Sequence, residues 1–323
     1  MAHTDTASPR TLMHTRLLSL VVALLAASPL LHAQEFTRTI ERRFDIGSLT
    51  PVVSIESQFG TLTVTSSDAP VVTVRLDIRV EADDDDEARS IGEGITLDAS
   101  AANGRVTLRT VFSKQAGAGE KRSMRANMTV TVPKGTRLAA RNRFGATTVT
   151  QVMGAVHCTA GFGAVTVTRS ANVEVRNEFG NTTINGARGT TTVVSKNGKV
   201  RVWDIQGGRI ESSFGDVEIS KATAAVTVDT RMGSIRATRF AGGAITCAYG
   251  SVEVELVRDF SGRIEAKTSF GSVSSDFDLA PREAQRAKNF GPESQDLVGR
   301  AGGGSALLRV ESSFGDVTLR RAR

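Results

Sequence analysis

The sequence predicts an all-β protein, a right-handed parallel β-solenoid with two short strands in each repeat of about 17–18 residues, covered at its N-terminal end by an irregular β-rich cap. Three observations carry this prediction. A Phe-Gly step, or a relative of it, recurs at positions 144, 162, 179, 197, 214, 232 and 249, spaced alternately 18 and 17 residues apart. Apolar residues follow each step at alternate positions, which is the period of a half-buried strand. The outward position four residues past each step reads Thr148, Thr166, Thr183, Arg201, Glu218, Arg236, Glu253, Ser274, so its charged members alternate in sign as stacked neighbours require.

Taken in order, residues 1–33 read as an export signal. Arg10 and Arg16 precede the apolar run Leu17–Ala27, and the small residue Ala33 marks the expected cut. The 11-residue run is too short to span a bilayer, and Met13 offers a more compact start. No later run approaches spanning length. The mature chain is therefore expected to be exported without a membrane span, to the periplasm, the cell surface or the medium. His3, His14 and His32 lie in the signal, which leaves only His157. Serine-triad, Cys-His and multi-His metal chemistry all need a histidine oriented by partners, so no catalytic residue, metal site or cofactor is expected. Without the signal the net charge is +5, against +6 for the whole chain, and the arginines are dispersed among acids. That dispersion argues against a nucleic-acid partner. Trp203 and Tyr249 are the only residues of their types, so stacking platforms for bases or sugars are scarce.

Residues 34–135 form the expected cap, with strand patterning in VVSIES, TLTVTS, VVTVRLDIRV, RVTLRTVF and MRANMTVTVP. The acidic run Glu81–Gly94 suits a solvated loop or the start of a short helix. It lacks the glycine spacing of a calcium loop.

Residues 136–323 form the expected solenoid. Val165 and Val167, Val200 and Val202, Val217 and Ile219, and Val252 and Val254 should face inward after their steps. The corners are assigned to Phe144 and Gly145, Phe162 and Gly163, Phe179 and Gly180, Phe214 and Gly215, Phe270 and Gly271, and Phe314 and Gly315. The step residue shares the inward parity of the strand before it, so a column of Phe, Met and Tyr is expected inside one corner. The heptapeptide ESSFGDV occurs at Glu211–Val217 and again at Glu311–Val317. Several rungs, roughly 20 Å, should separate the copies, too far for one acid pair. Cys158 and Cys247 lie at inward parity. At five rungs, ~24 Å, they should remain two buried free thiols. Residues 278–305 are polar and rich in glycine, with Pro281 and Pro292, and read as an excursion loop before a last pair of strands.

The stretch Val130–Val167, with its V-P-x-G opening and repeated G-x-[VI]-x-[VI] strands, together with SGRIEAKTSFGSV and LLRVESSFGDVTL, resembles the bacterial adhesin-like β-strand-repeat family known as domain of unknown function 4097. Its head-domain auto-transporter adhesin-like relatives are similar. The resemblance implies an exported β-repeat protein with no established catalytic residues. The expected function is a non-enzymatic binding or scaffold module of the cell envelope, whose partner is a protein or an envelope polymer. A role as extracytoplasmic partner in envelope-stress signalling is the alternative, and a polysaccharide-active enzyme is the third reading. The oligomeric state is left open.

Overall fold

The computed structural model describes residues 34–113, 123–282 and 294–322, so the export signal expected at 1–33 lies outside the described residues. The chain opens with β1 (Gln34–Asp45), β2 (Val52–Ser57), β3 (Leu62–Ser67) and β4 (Val71–Ala82). The single helix among the described residues, α1 (Asp85–Glu93), grows out of the acidic run. Asp84 caps it by accepting a hydrogen bond from the Asp86 N–H, and Asp85, Asp86 and Glu87 face the positive end of its dipole. β5 (Ile95–Ala102), β6 (Arg105–Phe112) and β7 (Ser123–Pro133) complete the N-terminal region.

Two-strand rungs then follow one another. They comprise β8 (Arg137–Phe144) with β9 (Thr147–Thr150), and β10 (Val156–Phe162) with β11 (Val165–Ser170). β12 (Val173–Phe179), β13 (Thr182–Asn197), β14 (Val200–Phe214) and β15 (Val217–Ala222) continue the path. β13 and β14 each run from the second half of one rung into the first half of the next. β16 (Val226–Met232) with β17 (Ile235–Phe240), β18 (Gly243–Tyr249) with β19 (Val252–Leu256), and β20 (Gly262–Phe270) with β21 (Val273–Ser275) come next. The end of the chain holds β22 (Leu279–Pro281), β23 (Gln295–Ala301), β24 (Ala306–Phe314) and β25 (Val317–Arg321).

The rungs stack in parallel and in register. Val156 sits between Leu138 and Val173, and Val165 between Thr147 and Thr182. Each strand thereby satisfies its backbone groups on the rungs above and below. The inward columns are β-branched or small: Val53, Ile55, Val156, Val175, Val193, Ile210, Val228, Ile245 and Val310 are all buried. Burying each such side chain is worth about 1.5–3 kcal/mol. A solenoid that repeats one small core layer therefore gains stability rung by rung.

The order of rungs departs from the order of the chain at both ends. β2 and β3 pair in parallel with β8 and β9, and on their other side with β6 and β7. Residues 52–67, 105–112 and 123–133 thus stand within the stack, and β2 and β3 pair directly with strands that follow residue 136. β24 and β25 insert between β18/β19 and β20/β21. The expected last pair of strands is in fact the penultimate rung. Antiparallel strands line the ends: β4 runs along β7 and β1 along β4, β5 runs along β6, and β23 runs along β20. The segment read as a loop at 278–305 therefore holds two strands, and β23 covers the edge that β20 would expose.

Candidate functional site

The corner is built by three neighbouring columns. The outermost is aromatic. Phe59, Phe144, Phe162 and Phe179 stack with ring centroids 4.8–5.3 Å apart and planes within 10° of parallel. Phe112 meets Phe59 edge-on at one end. Asn197 breaks the stack, and Phe214 and Met232 follow in register. Tyr249, Phe314 and Phe270 then form a second stack with centroids 4.8–4.9 Å apart.

This column does not lie inside the corner. Phe162, Phe179, Phe214, Met232, Tyr249, Phe270 and Phe314 are each 44–53% exposed. The expected interior column is therefore corrected to an exposed ridge. The ladder pairs Ala160 with Asn177 and Phe162 with Phe179 but skips Gly161 and Glu178. The backbone bends at the skipped residue, so the alternation that would carry the ring inward stops there.

The second column is glycine. The N–H of Gly163 donates to the Phe179 carbonyl at 2.8 Å, and Gly145 donates to the Phe162 carbonyl at 2.7 Å. Gly163 has φ +148°, and a Cβ there would collide with the Gly145 carbonyl. The same crowding recurs at Gly145, Gly180, Gly198, Gly215, Gly233, Gly250, Gly271 and Gly315. The corner therefore tolerates no side chain.

Sequence reasoning missed the third, innermost column. Two residues before each step stand Ser57, Asn142, Ala160, Asn177, Ser195, Ser212, Thr230, Cys247, Ser312 and Thr268, all buried. Asn177 Nδ2 donates to the carbonyls of Gly163 (3.2 Å) and Gly180 (2.9 Å), and Asn142 Nδ2 does the same to Gly60 and Gly145. Thr268 Oγ1 donates to the Gly315 carbonyl, Ser212 Oγ to that of Gly215, and the Cys247 thiol to those of Gly233 and Gly250. The signal was present in the sequence: this position is small and bears a donor in every rung but that of Ala160.

The outward column extends further than expected. Thr148, Thr166, Thr183, Arg201, Glu218, Arg236 and Glu253 are consecutive register partners. Thr318, not Ser274, follows Glu253, and Ser274 lies one rung beyond. Thr63 and Thr129 prolong the threonine run at the other end. Arg201 pairs with Glu218 at 3.0 Å and Arg236 with Glu253 at 2.7 Å. Hydrogen bonds from Lys199 and Arg201 hold the Glu218 carboxyl below its ordinary range despite partial burial. These acids are engaged by bases along the stack and do not converge on a reactive centre. The shallow cleft beside Trp203, about 340 Å³, has the same character, with Lys221–Asp204 and Arg201–Glu218 pairs in its wall.

The two ESSFGDV copies stand three rungs apart, about 14 Å rather than the expected 20 Å, still beyond the reach of an acid pair. His157 lies on the outer face with Nδ1 3.1 Å from Glu174. Both cysteines are buried and free, and burial pushes the Cys158 thiol up to about 12. Among the described residues no three metal-ligating side chains cluster, and no helix is long and apolar enough to cross a membrane.

Solved structures that the chain matches include a "putative cell adhesion protein" from Clostridium sporogenes, 11% identical, with 90% of this chain and 100% of that one covered at TM-score 0.25. A "putative adhesin" from Bacteroides fragilis is 12% identical, with coverage of 88% and 97% at TM-score 0.28. A "putative lipid binding protein" from Parabacteroides distasonis is 10% identical, with coverage of 90% and 97% at TM-score 0.35. Likenesses this distant carry no argument about fold or function. No curated protein matches the chain. The family model described as Toastrack DUF4097 matches residues 53–320, from the inserted N-terminal rung to the last strand, and the chain belongs to that family.

Proposed function

We propose that this chain is a non-enzymatic, exported binding or scaffold module of the cell envelope, and that the aromatic ridge is its recognition element. The observation that carries this reading is the ridge's exposure. Seven side chains, each 44–53% exposed and about 200 Å² in full, present roughly 700 Å² of mostly apolar surface on either side of Asn197, about 480 Å² of it in the unbroken run from Phe214 to Phe270. Soluble monomers rarely leave contiguous apolar patches above a few hundred Å² without a use for them. Stacking within the chain does not require that exposure. Aromatic side chains are also the residues that most often dominate protein–protein contacts. The acids and arginines, by contrast, are spent on one another along the ladders, which supports a binding role over catalysis.

A photo-crosslinking residue placed beside the ridge at Ser213 or Ala248 tests this in cells, with Thr166 on the threonine face as control. Discrete adducts from the ridge positions and none from the control are expected. Equal labelling from all three, or turnover of a polysaccharide by the purified protein, would overturn the reading.

A further inference from the structure

Resting on the reading of the ridge as the recognition surface, we propose that its partner is a second copy of this chain, docked ridge to ridge in one antiparallel register. The ridge has ten rungs, in the order Phe59, Phe144, Phe162, Phe179, Asn197, Phe214, Met232, Tyr249, Phe314, Phe270. Nine spacings of about 4.8 Å make it roughly 43 Å long. Its exposed area of about 700 Å² is close to the ~800 Å² per partner of a standard stable interface.

The charges beside the ridge select the register. Before the step residue stand Arg143, Glu178, Lys196 and Arg231; two positions after it stand Lys199, Asp216 and Asp316. The remaining flanking residues of the ten rungs are uncharged. Consider a twofold axis lying between the two ridges, perpendicular to the stack and midway between the Asn197 and Phe214 rungs. It reverses the rung order and brings like flanks together. Glu178, which holds Lys196 within its own chain, then faces Arg231 of the second copy, Lys199, which holds Glu218, faces Asp216, and both contacts occur twice. Arg143, Lys196 and Asp316 face Ser313, Ser213 and Ala146, so no like charges meet. Phe59 faces Phe270, Phe144 faces Phe314, Phe162 faces Tyr249, and Phe179 faces Met232. All ten rungs overlap.

Neighbouring registers fail. Centring the axis on the Asn197 rung sets Lys196 and Lys199 against their own copies. Centring it on the Phe214 rung sets Asp216 against itself and Lys196 against Arg231. A parallel arrangement sets Lys196 against Lys199 on both flanks. Like charges directly opposed are destabilising. The one register with full apolar overlap is also the one with complementary charge. It is an isologous contact, which closes at two copies.

The test is sedimentation of the purified chain from 1 to 100 µM with charge variants. A dimer is expected. Arg231 has no ion-pair partner among the described residues, so Arg231→Glu should leave the urea midpoint unchanged while weakening dimerisation at least tenfold. Glu178→Arg should weaken dimerisation as much. Because Glu178 pairs with Lys196 at 2.8 Å within the chain, its urea midpoint should fall modestly as well. The double variant's dimerisation should recover to within about threefold of the parent. Phe162→Ser with Phe314→Ser should abolish association. A monomer at 100 µM, a dimer indifferent to Arg231→Glu, or a double variant without rescue would overturn the proposal. The photo-crosslinks separate this failure from failure of the ridge itself. Adducts between copies support self-pairing, whereas adducts with another protein from a monomeric chain overturn self-pairing and leave the ridge a binding surface.

Discussion

Asn177 shows how much one side chain does at the corner. Its amide donates to two glycine carbonyls on adjacent rungs while its own Oδ1 finds no donor. Losing the donor strands buried carbonyls, so Asn177→Ala should cost about 1–3 kcal/mol in urea unfolding. Asn177→Ser should cost less, because Ser212 makes the equivalent bond to Gly215. An equal loss for both variants would contradict the bracket. The glycine column makes a second prediction. Gly163→Ala must displace the backbone of the next rung and should cost about 3 kcal/mol or more, whereas Gly47→Ala, with φ +63° and open space around it, should cost about 1 kcal/mol. Burial also keeps the Cys158 thiol protonated, so neither cysteine should react with a thiol reagent at pH 8 until the chain unfolds, when two equivalents should appear. At this scale the glycine positions were legible in the sequence, because their spacing is strict. The Phe orientation was not, because parity counting assumes a straight strand and the backbone bends one residue before the ring.

Among the elements, the terminal rung depends on an acid that no repeat announces. Glu265 on β20 is 9% exposed and meets Arg309 at 2.9 Å, Arg263 at 2.7 Å and Arg282 at 3.3 Å. Burial alone would raise its carboxyl, but the Arg309 hydrogen bond and the three guanidinium charges outweigh burial and hold it below its ordinary value. A carboxylate lowered in the folded state binds protons more weakly there than in the unfolded chain. Its contribution is complete above the unfolded value near 4.5 and is lost as pH falls through the folded value. Glu265→Gln should therefore lower stability by about 2 kcal/mol at pH 7, discounted for the half-exposed arginines. Its stability should fall less steeply than the parent's between pH 5 and 3. The slope should not vanish, since the carboxyls of Glu218, Glu174 and Asp77 are lowered as well. A parallel loss in parent and variant would show that the cluster contributes nothing. β23, which runs along this rung, was hidden from sequence reading because most of its residues are only half-buried and carry no inward–outward alternation.

For the whole molecule, the period of the repeat foretold the stack but not its order. Rungs ending in near-identical Phe-Gly steps fit one another equally well, so nothing local says that ALLRVESSFGDV precedes SGRIEAKTSFGSV in space. Only the chain beyond each rung decides this: β23 runs antiparallel to β20, and its return carries β24 inside. The N-terminal insertion of β2 and β3 has the same character. Columns that cross these insertions, such as Glu253–Thr318–Ser274, therefore test the architecture most sharply. The decisive measurement is paired cysteine cross-linking under mild oxidation. Neighbouring parallel strands place partner Cα atoms about 4.8 Å apart, within disulfide reach, and strands two rungs apart at about 9.6 Å beyond it. The stack described here predicts that Glu253→Cys with Thr318→Cys forms a disulfide and that Glu253→Cys with Ser274→Cys does not. The reverse outcome would contradict it.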